Sequence, residues 1–407
     1  MKRIAIVNQR YGKEVNGGSE DYARELAHRL SGSYKVDVIT TTALDYQDWA
    51  PYYDPGTEKD GSVTVKRFPV KTRRIVHLQN FLSRNIFHVF PFSLVSDYLW
   101  IIAQGPWCPQ AVRYLKKHEK DYEAVIFVTY LYYLTAAGLP KVRKKAVLVP
   151  TAHDEFPIRY PYYRRLLNAP AALAYLTEEE KSLVESIAPV SGKPHAVAGS
   201  GVALPPEEEV RKSTGKFREK YGITGPYVIY AGRVDEAKGC KEMFADFEAY
   251  QEIRQKENAA AGQETLTLVV IGKMMLPDPG REDIRYLGFV SEEEKYAAIA
   301  GASVLILPSQ YESLSLSVLE ALGLGTPVLV NEKSEVLKAH CVKSGAGRYY
   351  GNREDFCTAL REMTEDREML EQMGERGRNY VREHYNWERT AEEYRNLIEI
   401  VGTRRPE

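Results

Sequence analysis

PSQYESLSLSVLEALGLGTPVLVNE, from Pro308 to Glu332, is the stretch that decides the fold of the second half of the chain. Its Ser/Leu alternation has period two and, taken alone, predicts an amphipathic strand. Two apolar strands, SVLILPS and PVLVN, already flank it, and a further strand would leave VLEALGLG without a place. A helix over about 315–323 fits better, because Leu316, Leu319 and Leu322 then lie on one face.

The helix prediction gives the two glutamates of this stretch different places. Glu312 falls in the loop at the helix entrance, and Glu320 falls inside the helix. We expect Gly323 and Gly325 to end the helix and Pro327 to open the next strand.

The backbone N–H groups at the start of this helix, around Ser313, Leu314 and Ser315, favour an anion. Carboxylates beside a bound anion would repel it, so Glu312 and Glu320 are expected to accept hydrogen bonds from sugar hydroxyls instead. Such bonds contribute about 1.5–3 kcal/mol each. A phosphate with hydroxyl-bearing groups on both sides describes a nucleotide sugar. The alternative, that both glutamates are solvated helix residues, stays open at this point.

Apolar strands alternate with helical patterns along nearly the whole chain. We expect strands at 3–7, 35–41, 63–70, 124–129, 146–151, 172–177 and 195–200, and again at 227–232, 266–272, 285–290, 303–309 and 327–331. Short apolar strands separated by helices indicate parallel sheets covered on both faces. The prediction is an α/β fold of two Rossmann-like, doubly wound domains facing a central cleft, where ligands bind at the carboxyl ends of the strands.

A polar, proline-containing passage at 204–222 separates the two series of strands. We predict one domain over 1–204 and a second over 205–380. The remaining segment, 381–407, is expected to form a C-terminal helix that packs back on the first domain.

Two further stretches place candidate ligand-binding residues at predicted strand ends. YVIYAGRVDEAKG puts Arg233 at the end of a strand and Lys238 five residues later, where two cations can neutralise a diphosphate leaving group. In YGKEVNGGSEDYARELAHRL, Gly17 and Gly18 allow the backbone to approach a ligand closely, with Ser19 as the N-cap of the first helix. Solvated surface cations and a simple tight turn are the competing interpretations.

His153 and Asp154 lie just past the end of the strand predicted at 146–151, so they are expected to face the cleft between the two domains. A structural histidine is the competing interpretation. The glycine pair is not a G-x-G-x-x-G fingerprint, and no acidic residue closes a clear second strand. Dinucleotide binding is therefore disfavoured.

Taken together, the GG turn, the mid-chain histidine, AGR…KG, the E-x7-E element and the helical tail resemble glycosyltransferase family 4, which has the GT-B fold and retains anomeric configuration. The resemblance covers nearly the whole chain in the family's order. It implies that the first domain binds the acceptor and the second binds the nucleotide sugar. Many members have Phe-Gly where this chain has Leu314–Ser315, which keeps the backbone donors but makes the donor harder to predict.

The resemblance also implies roles for individual residues. They are Glu312 on hydroxyls of the donor sugar, Glu320 on the ribose, Arg233 and Lys238 on the diphosphate, Gly17 and Gly18 near the phosphate and reaction centre, and His153 on the transferred sugar. The reaction implied moves a hexose-type sugar from a UDP- or GDP-linked donor to a hydroxyl of a glycan or lipid-linked acceptor, in surface polysaccharide or glycolipid synthesis. A GT-B sugar-nucleotide 2-epimerase and a catalytically silent sugar-binding protein are the rival interpretations.

No D-x-D stretch occurs in the chain, which is consistent with a metal-independent enzyme that needs no cofactor besides its donor substrate. No residue is obviously placed as a covalent nucleophile. We therefore expect a front-face mechanism that the departing phosphate assists.

Composition limits the partners and the compartment. The 407 residues, 44% of them apolar, suffice for two or three domains, and the net charge of −1 argues against a nucleic-acid binder. The four cysteines are scattered, as in a reduced cytoplasmic protein. The N-terminus has too short an apolar run for a signal peptide, and no stretch provides the roughly 20 apolar residues of a spanning helix.

Residues 66–120 carry a local basic bias with aromatic side chains interleaved. The basic residues are Lys66, Arg67, Lys71, Arg73, Arg74, Arg84, Arg113, Lys116, Lys117 and Lys120, and the aromatic ones are Phe68, Phe81, Phe87, Phe90, Phe92, Tyr98, Trp100 and Trp107. This combination could seat the enzyme peripherally on the anionic inner face of the cell membrane. A solvated loop with a partly buried aromatic core is the alternative.

Overall fold

The computed structural model describes residues 1–84, 93–258 and 265–403. The chain forms two compact units. Unit 1 comprises Met1–Ser200 and Trp387–Glu407, and unit 2 comprises Gly201–Asn386.

Unit 1 is built on a mostly parallel sheet. Its described strands are β1 (Arg3–Val7), β2 (Lys35–Thr41), β3 (Gly56–Asp60), β4 (Val63–Phe68), β5 (Val125–Val128), β6 (Ala146–Val149), β7 (Ala172–Tyr175) and β8 (His195–Val197). They lie in the order β3-β4-β2-β1-β5-β6-β7-β8, and only the β3–β4 pair is antiparallel. The central strands β5 and β6 are buried along their whole length, as expected for a sheet covered on both faces.

Helices cover this sheet and close its core. In the described part of unit 1 they are α1 (Gly18–Leu30), α2 (Val76–Leu82), α3 (Ser93–Gln104), α4 (Pro109–Lys117), α5 (Tyr133–Gly138), α6 (Pro161–Leu167), α7 (Glu178–Ile187) and, after the chain returns from unit 2, α15 (Trp387–Thr403). One continuous core joins Phe127 and Leu148 of the sheet to Trp100 of α3 and Tyr163 of α6.

Unit 2 has a fully parallel sheet in its described residues. Its strands are β9 (Tyr227–Ala231), β10 (Thr267–Ile271), β11 (Ile284–Gly288), β12 (Val304–Leu307), β13 (Val328–Asn331) and β14 (Gly347–Tyr350), in the order β11-β10-β9-β12-β13-β14. Its helices are α8 (Glu207–Lys220), α9 (Cys240–Asn258), α10 (Glu292–Ala300), α11 (Leu316–Leu324), α12 (Glu335–Ser344), α13 (Arg353–Glu365) and α14 (Arg367–His384).

The predicted architecture of two parallel α/β sheets is confirmed, and each predicted strand overlaps an observed one. Two strands were not predicted. β3 is polar and exposed, and it is ordered by antiparallel pairing with β4 across a turn at Gly61, which has φ 59°. β14 is short, and it lies at the sheet edge beside β13.

The chain returns to unit 1 through α15. Tyr394 of this helix places its hydroxyl 2.8 Å from that of Tyr22 on α1, and Thr390 donates a hydrogen bond to the Ala198 carbonyl. The first crossing between units falls after Ser200 rather than after residue 204. The second falls before Trp387, because residues 381–384 still complete α14.

Two further sequence expectations concern cysteines and membrane spans. All four cysteines, at 108, 240, 341 and 357, are buried and free of disulfides. Among the described residues, no helix has both the length and the apolarity that crossing a bilayer requires.

Candidate functional site

The stretch from Pro308 to Glu332 forms a loop, a helix and a strand, so the helix prediction is confirmed. α11 ends at Gly325, a left-handed C-cap with φ 84°. Gly323 does not end the helix. It lies inside α11, where a Cβ atom would meet Leu204 at 2.5 Å and Val381 at 3.2 Å, so the small residue serves close packing.

The turn into α11 carries a strained residue. Ser315 has φ 71° and ψ 90°, and its side chain makes no capping bond. Positive φ is a conformation that glycine adopts more readily than serine. The preceding Leu314 is buried, and its carbonyl lies 2.8 Å from Nε2 of the buried His340. The other ring nitrogen of His340 lies 3.0 Å from the Tyr380 hydroxyl. The buried pair of His340 and Tyr380 therefore holds the turn on its inner side.

The loop after β9 brings Lys238 to the same turn. Lys238 Nζ lies 2.7 Å from Glu312 Oε1. Asp235 organises the loop, because its carboxylate accepts the Lys238 backbone N–H at 2.8 Å and also pairs with Arg233. Gly239 follows with φ 74°, and a Cβ there would lie 2.7 Å from the Pro308 carbonyl. Glycine therefore permits the close approach of this loop to the end of β12.

These contacts place a cation, a carboxylate and a helix N-terminus at one edge of unit 2. The first-turn N–H groups of α11 have no acceptor within their own helix. Lys238 and Glu312 are both partly exposed, so a bound ligand can exchange contacts with each. Arg233, Lys238, Glu312 and the 313–315 backbone are thus on loops that follow adjacent strands, β9 and β12.

Glu320 lies in the second turn of α11. It pairs with Lys295, a contact that the sequence did not predict. Burial raises the pKa of the Glu320 carboxyl, although Lys295 of α10 lies 2.7 Å away and opposes this shift. The prediction for Glu320 concerned the ribose of a nucleotide. The observed pair with Lys295 means that any such hydroxyl would meet a carboxylate already held in place.

In unit 1, Gly17 stands at the start of α1. Gly17 occupies the N-cap position, so the prediction that Ser19 caps the helix is wrong. Ser19 lies in the first turn of the helix, and its hydroxyl instead donates to Glu20. The buried carboxylate of Glu20 also takes hydrogen bonds from Gln9 at 2.7 Å and from Arg10 at 3.0 Å. This Arg10–Glu20 ion pair fixes the glycine turn from inside.

His153 lies at the carboxyl edge of β6, as predicted, and is half-buried. Its Nδ1 is 3.7 Å from Glu155 Oε1, and the same oxygen accepts a hydrogen bond from the Tyr130 hydroxyl at 2.7 Å. Asp154 pairs with Arg159 on the surface.

Several residues that hold these sites were missed at the sequence level. They are Arg10, Glu20, Asp235, Lys295 and His340. Only two had a local signal: Glu20 stands two residues after the glycine pair, and Asp235 stands three residues before Lys238 in a capping pattern. The others act through contacts between distant segments. No group of three or more His, Cys, Asp or Glu side chains that could hold a metal occurs in the described parts of the chain.

Solved structures identify the fold class. The chain superposes on sucrose-phosphate synthase from Thermosynechococcus elongatus with a TM-score of 0.68 at 16% identity, covering 98% of both chains. It also superposes on Anabaena HepE, solved in complex with UDP and glucose, with a TM-score of 0.65 at 12% identity, covering 98% of this chain and 100% of the other. The two parallel-sheet units thus form the GT-B fold.

Sequence comparison relates the second unit to a family model. Residues 213–380 match the model described as glycosyl transferases group 1. Mannosylfructose-phosphate synthase of Agrobacterium fabrum is 21% identical over 95% of this chain and 87% of its own length. The protein is therefore a transferase enzyme of the glycosyltransferase class.

We predict that the two glycines of the turn differ in their tolerance of alanine. In Gly17→Ala the new Cβ would lie 2.3 Å from a Glu20 oxygen and 3.0 Å from Arg10, so the ion pair must move. This overpacking is expected to cost about 1–3 kcal/mol and to lower the melting temperature. Gly18→Ala is the matched control, because its Cβ meets nothing within 4 Å. Equal melting temperatures for the two variants would contradict the arrangement.

Proposed function

We propose that the protein is a retaining glycosyltransferase of family 4 that transfers a hexose-type sugar from a nucleotide diphosphate sugar to a hydroxyl of its acceptor. The observation that supports this most is the meeting of Lys238 with Glu312 beside the start of α11. A cation and unpaired helix N–H groups suit a diphosphate, and a carboxylate suits sugar hydroxyls.

The residues divide the charge of the leaving group between them. Arg233, Lys238 and the 313–315 backbone stabilise the negative charge that develops on the diphosphate as the glycosidic bond breaks. Glu312 holds the sugar through its hydroxyls, and Glu320 receives the ribose. His153 contacts the transferred sugar. With the leaving phosphate on the same face as the acceptor hydroxyl, that phosphate accepts the hydroxyl proton and configuration is retained.

The donor that we propose is linked to UDP or GDP and needs no metal or other cofactor. HepE, which shares the fold, is described as binding UDP and glucose. Two cationic side chains and a helix N-terminus can supply the neutralisation that a metal ion provides elsewhere.

The donor site is tested by single alanine variants. Lys238→Ala and Glu312→Ala are each expected to lower kcat for sugar transfer about 10²–10³-fold, the usual loss on removing one group that stabilises developing charge. Lys241→Ala, an exposed lysine three residues further on, is the matched control.

Donor binding is read independently by thermal shift, since a ligand that binds only the folded state raises the melting temperature. Wild type and Lys241→Ala should be stabilised by one of the UDP-, GDP- or dTDP-sugars, and Lys238→Ala should lose that gain. Proton NMR of the first-formed product reports its anomeric configuration. Full activity in both site variants, or an inverted product, would refute the mechanism.

Arg74 supports a proposal about the charge of the acceptor. Its guanidinium lies over the rings of Trp49, at 5.5 Å, and Tyr46, at 6.0 Å, and burial lowers its pKa. Its hydrogen bond from Nε to the Gln104 carbonyl is long, at 3.4 Å. Asp45 and Asp48 act on it electrostatically, but no carboxylate within the described residues lies at ion-pair distance from it. A partly desolvated cation that makes no close ion pair favours an anionic ligand.

We therefore propose an acceptor that carries a phosphate. A lipid-linked glycan of surface polysaccharide or glycolipid synthesis has one, and so does a free sugar phosphate. The second class is suggested by relatives whose names describe phosphorylated products, mannosylfructose-phosphate synthase and sucrose-phosphate synthase.

Arg74→Gln is expected to raise the acceptor KM about tenfold or more while leaving the donor KM unchanged, because a charge-assisted contact contributes about 1.5–3 kcal/mol. Arg73→Gln is the matched control, since Arg73 is exposed and already near Asp48. Assays with a sugar phosphate and with a diphospholipid-linked glycan separate the two acceptors. An unchanged acceptor KM in Arg74→Gln would remove the phosphate proposal.

A membrane surface is a further proposed partner, for a cytoplasmic enzyme docked peripherally on the inner face of the cell membrane. Not all of the aromatic residues named for this surface are available to it. Trp100 is buried in the core, and Phe87, Phe90 and Phe92 lie outside the described residues. Other apolar side chains on and around α2 and α3 are exposed, namely Ile75, Val76, Leu78, Phe81, Val95 and Leu99.

Part of the basic charge in 66–120 is already neutralised within unit 1. Arg67 is buried against Glu58, and Lys66 lies 3.8 Å from Asp37. Arg84 and the exposed lysines of the 116–120 segment remain on the surface to meet anionic lipid.

Vesicle co-sedimentation tests this surface. Wild type is expected to bind vesicles that contain anionic lipid and to be released by raised salt. Val76→Ser with Phe81→Ser should bind more weakly, because two exposed apolar anchors are lost. Binding that is insensitive to anionic lipid and to these changes would exclude the proposed surface.

A further inference from the structure

Glu180 is a buried carboxylate that joins two loops of unit 1. It lies in the first turn of α7 and is 1% exposed. Its Oε1 accepts the backbone N–H of Ala152 at 2.6 Å, and its Oε2 accepts that of Leu176, also at 2.6 Å. One side chain therefore holds the loop after β6 and the loop after β7 together.

The sequence around Glu180 has the form of a capping box, but the glutamate is used differently. In a capping box the third helical residue bonds back to its own N-cap, as Glu294 does to Ser291 at the start of α10. Thr177 caps α7 in the same way, accepting the Glu180 N–H at 3.0 Å. The Glu180 carboxylate nevertheless reaches beyond its own helix to a segment 28 residues away.

The loop that Glu180 reaches contains His153. Thr151 has φ 49°, an unusual conformation for a β-branched residue, and Ala152 stands between it and His153. Such a conformation persists only where surrounding contacts impose it. The bond from Ala152 to Glu180 is such a contact, and it sets the direction in which the next side chain leaves the backbone.

We propose that Glu180 is a positioning residue that holds His153 in place for sugar transfer. The inference rests on the proposed role of His153 at the transferred sugar. Glu180 is buried and bonds to the Ala152 backbone, so it acts through the Thr151–His153 backbone.

The surroundings of Glu180 leave its charge uncompensated. No ion pair involving it occurs among the described residues, and its electrostatic neighbours are three phenols with raised pKa values: Tyr22 of α1, Tyr175 of β7 and Tyr394 of α15. Burial raises the pKa of Glu180 to about 8, against the lowering effect of its two backbone hydrogen bonds. Only the ionised form accepts both N–H groups fully, so positioning weakens as pH falls through this range.

Glu180→Gln is the first test, with Glu178→Gln, an exposed glutamate of the same helical turn, as matched control. Gln places an amide N–H against one backbone N–H. We expect kcat at pH 9 to fall 10- to 100-fold with the donor KM within twofold, since misplacing one group by about 1 Å can cost 100-fold. The rise of kcat near pH 8 should be present in wild type and the control and absent in Glu180→Gln.

The melting temperature gives the second readout. A folded pKa above the unfolded value of about 4.3 means that the native state binds the proton more tightly, so this group lowers stability as pH rises from about 4.3 to 8. Glu180→Gln lacks this penalty. Its melting temperature should therefore rise relative to wild type between pH 5 and pH 9, while wild-type activity increases. If Glu180→Gln fails to fold, Glu180→Asp serves as the second variant, because it keeps the charge on a shorter side chain. It should show a reduced kcat and should retain the rise of kcat near pH 8.

Failure of this inference is distinct from failure of the proposed function. Suppose that His153→Ala lowers kcat. If Glu180→Gln then has full activity, or keeps the rise of kcat near pH 8, the positioning role of Glu180 is overturned and the proposed donor chemistry stands. If His153→Ala has full activity, the proposed role of His153 itself is overturned. In the double variant, the two losses should not add, because both act through one side chain.

Discussion

The register of the parallel strands is the constraint on which both candidate sites depend. Parallel strands start at one edge of a sheet and end at the other, so the loops that follow them collect along a single edge. The pairing of β9 with β12 brings the loop of Lys238 to the loop of Glu312, although 74 residues separate them. In unit 1, β1 and β6 flank β5, and their following loops carry Gly17 and His153.

A second common feature is that a buried or partly buried carboxylate accepts hydrogen bonds that hold each of these loops. Glu20 receives Arg10 and Gln9 beneath the glycine turn, and Asp235 receives Arg233 and the Lys238 backbone. Glu180 receives two backbone N–H groups and no cation. Burying charge in this way stabilises a fold little or not at all. Its benefit is geometric, because a loop held by short charged bonds presents its exposed atoms in one arrangement.

Much of the fold and part of the site could be predicted from the sequence. Apolar runs of four to seven residues located the central strands because burial on both faces demands such runs. The polar β3 gave no such signal, since its order comes from pairing with β4. The E-x7-E spacing and AGR…KG located Glu312 and Lys238 correctly at one edge. His340 and Lys295 could not be located in this way, because each meets its partner only after distant helices have packed.

The sequence by itself determined the class: two series of alternating strands and helices, a loop-to-helix entrance at Glu312, and a glycine turn at Gly17 and Gly18 before the first helix. These follow from local chemistry and periodicity, which a linear pattern records. Only the tertiary structure decided which glutamates stay partly exposed at a strand edge, as Glu312 does, and which hold the scaffold. Glu180 and Glu294 share one capping pattern, yet one is buried on a neighbouring loop and the other bonds to its own cap at the surface. The difference is burial, because a carboxylate removed from water must find donors wherever the fold supplies them.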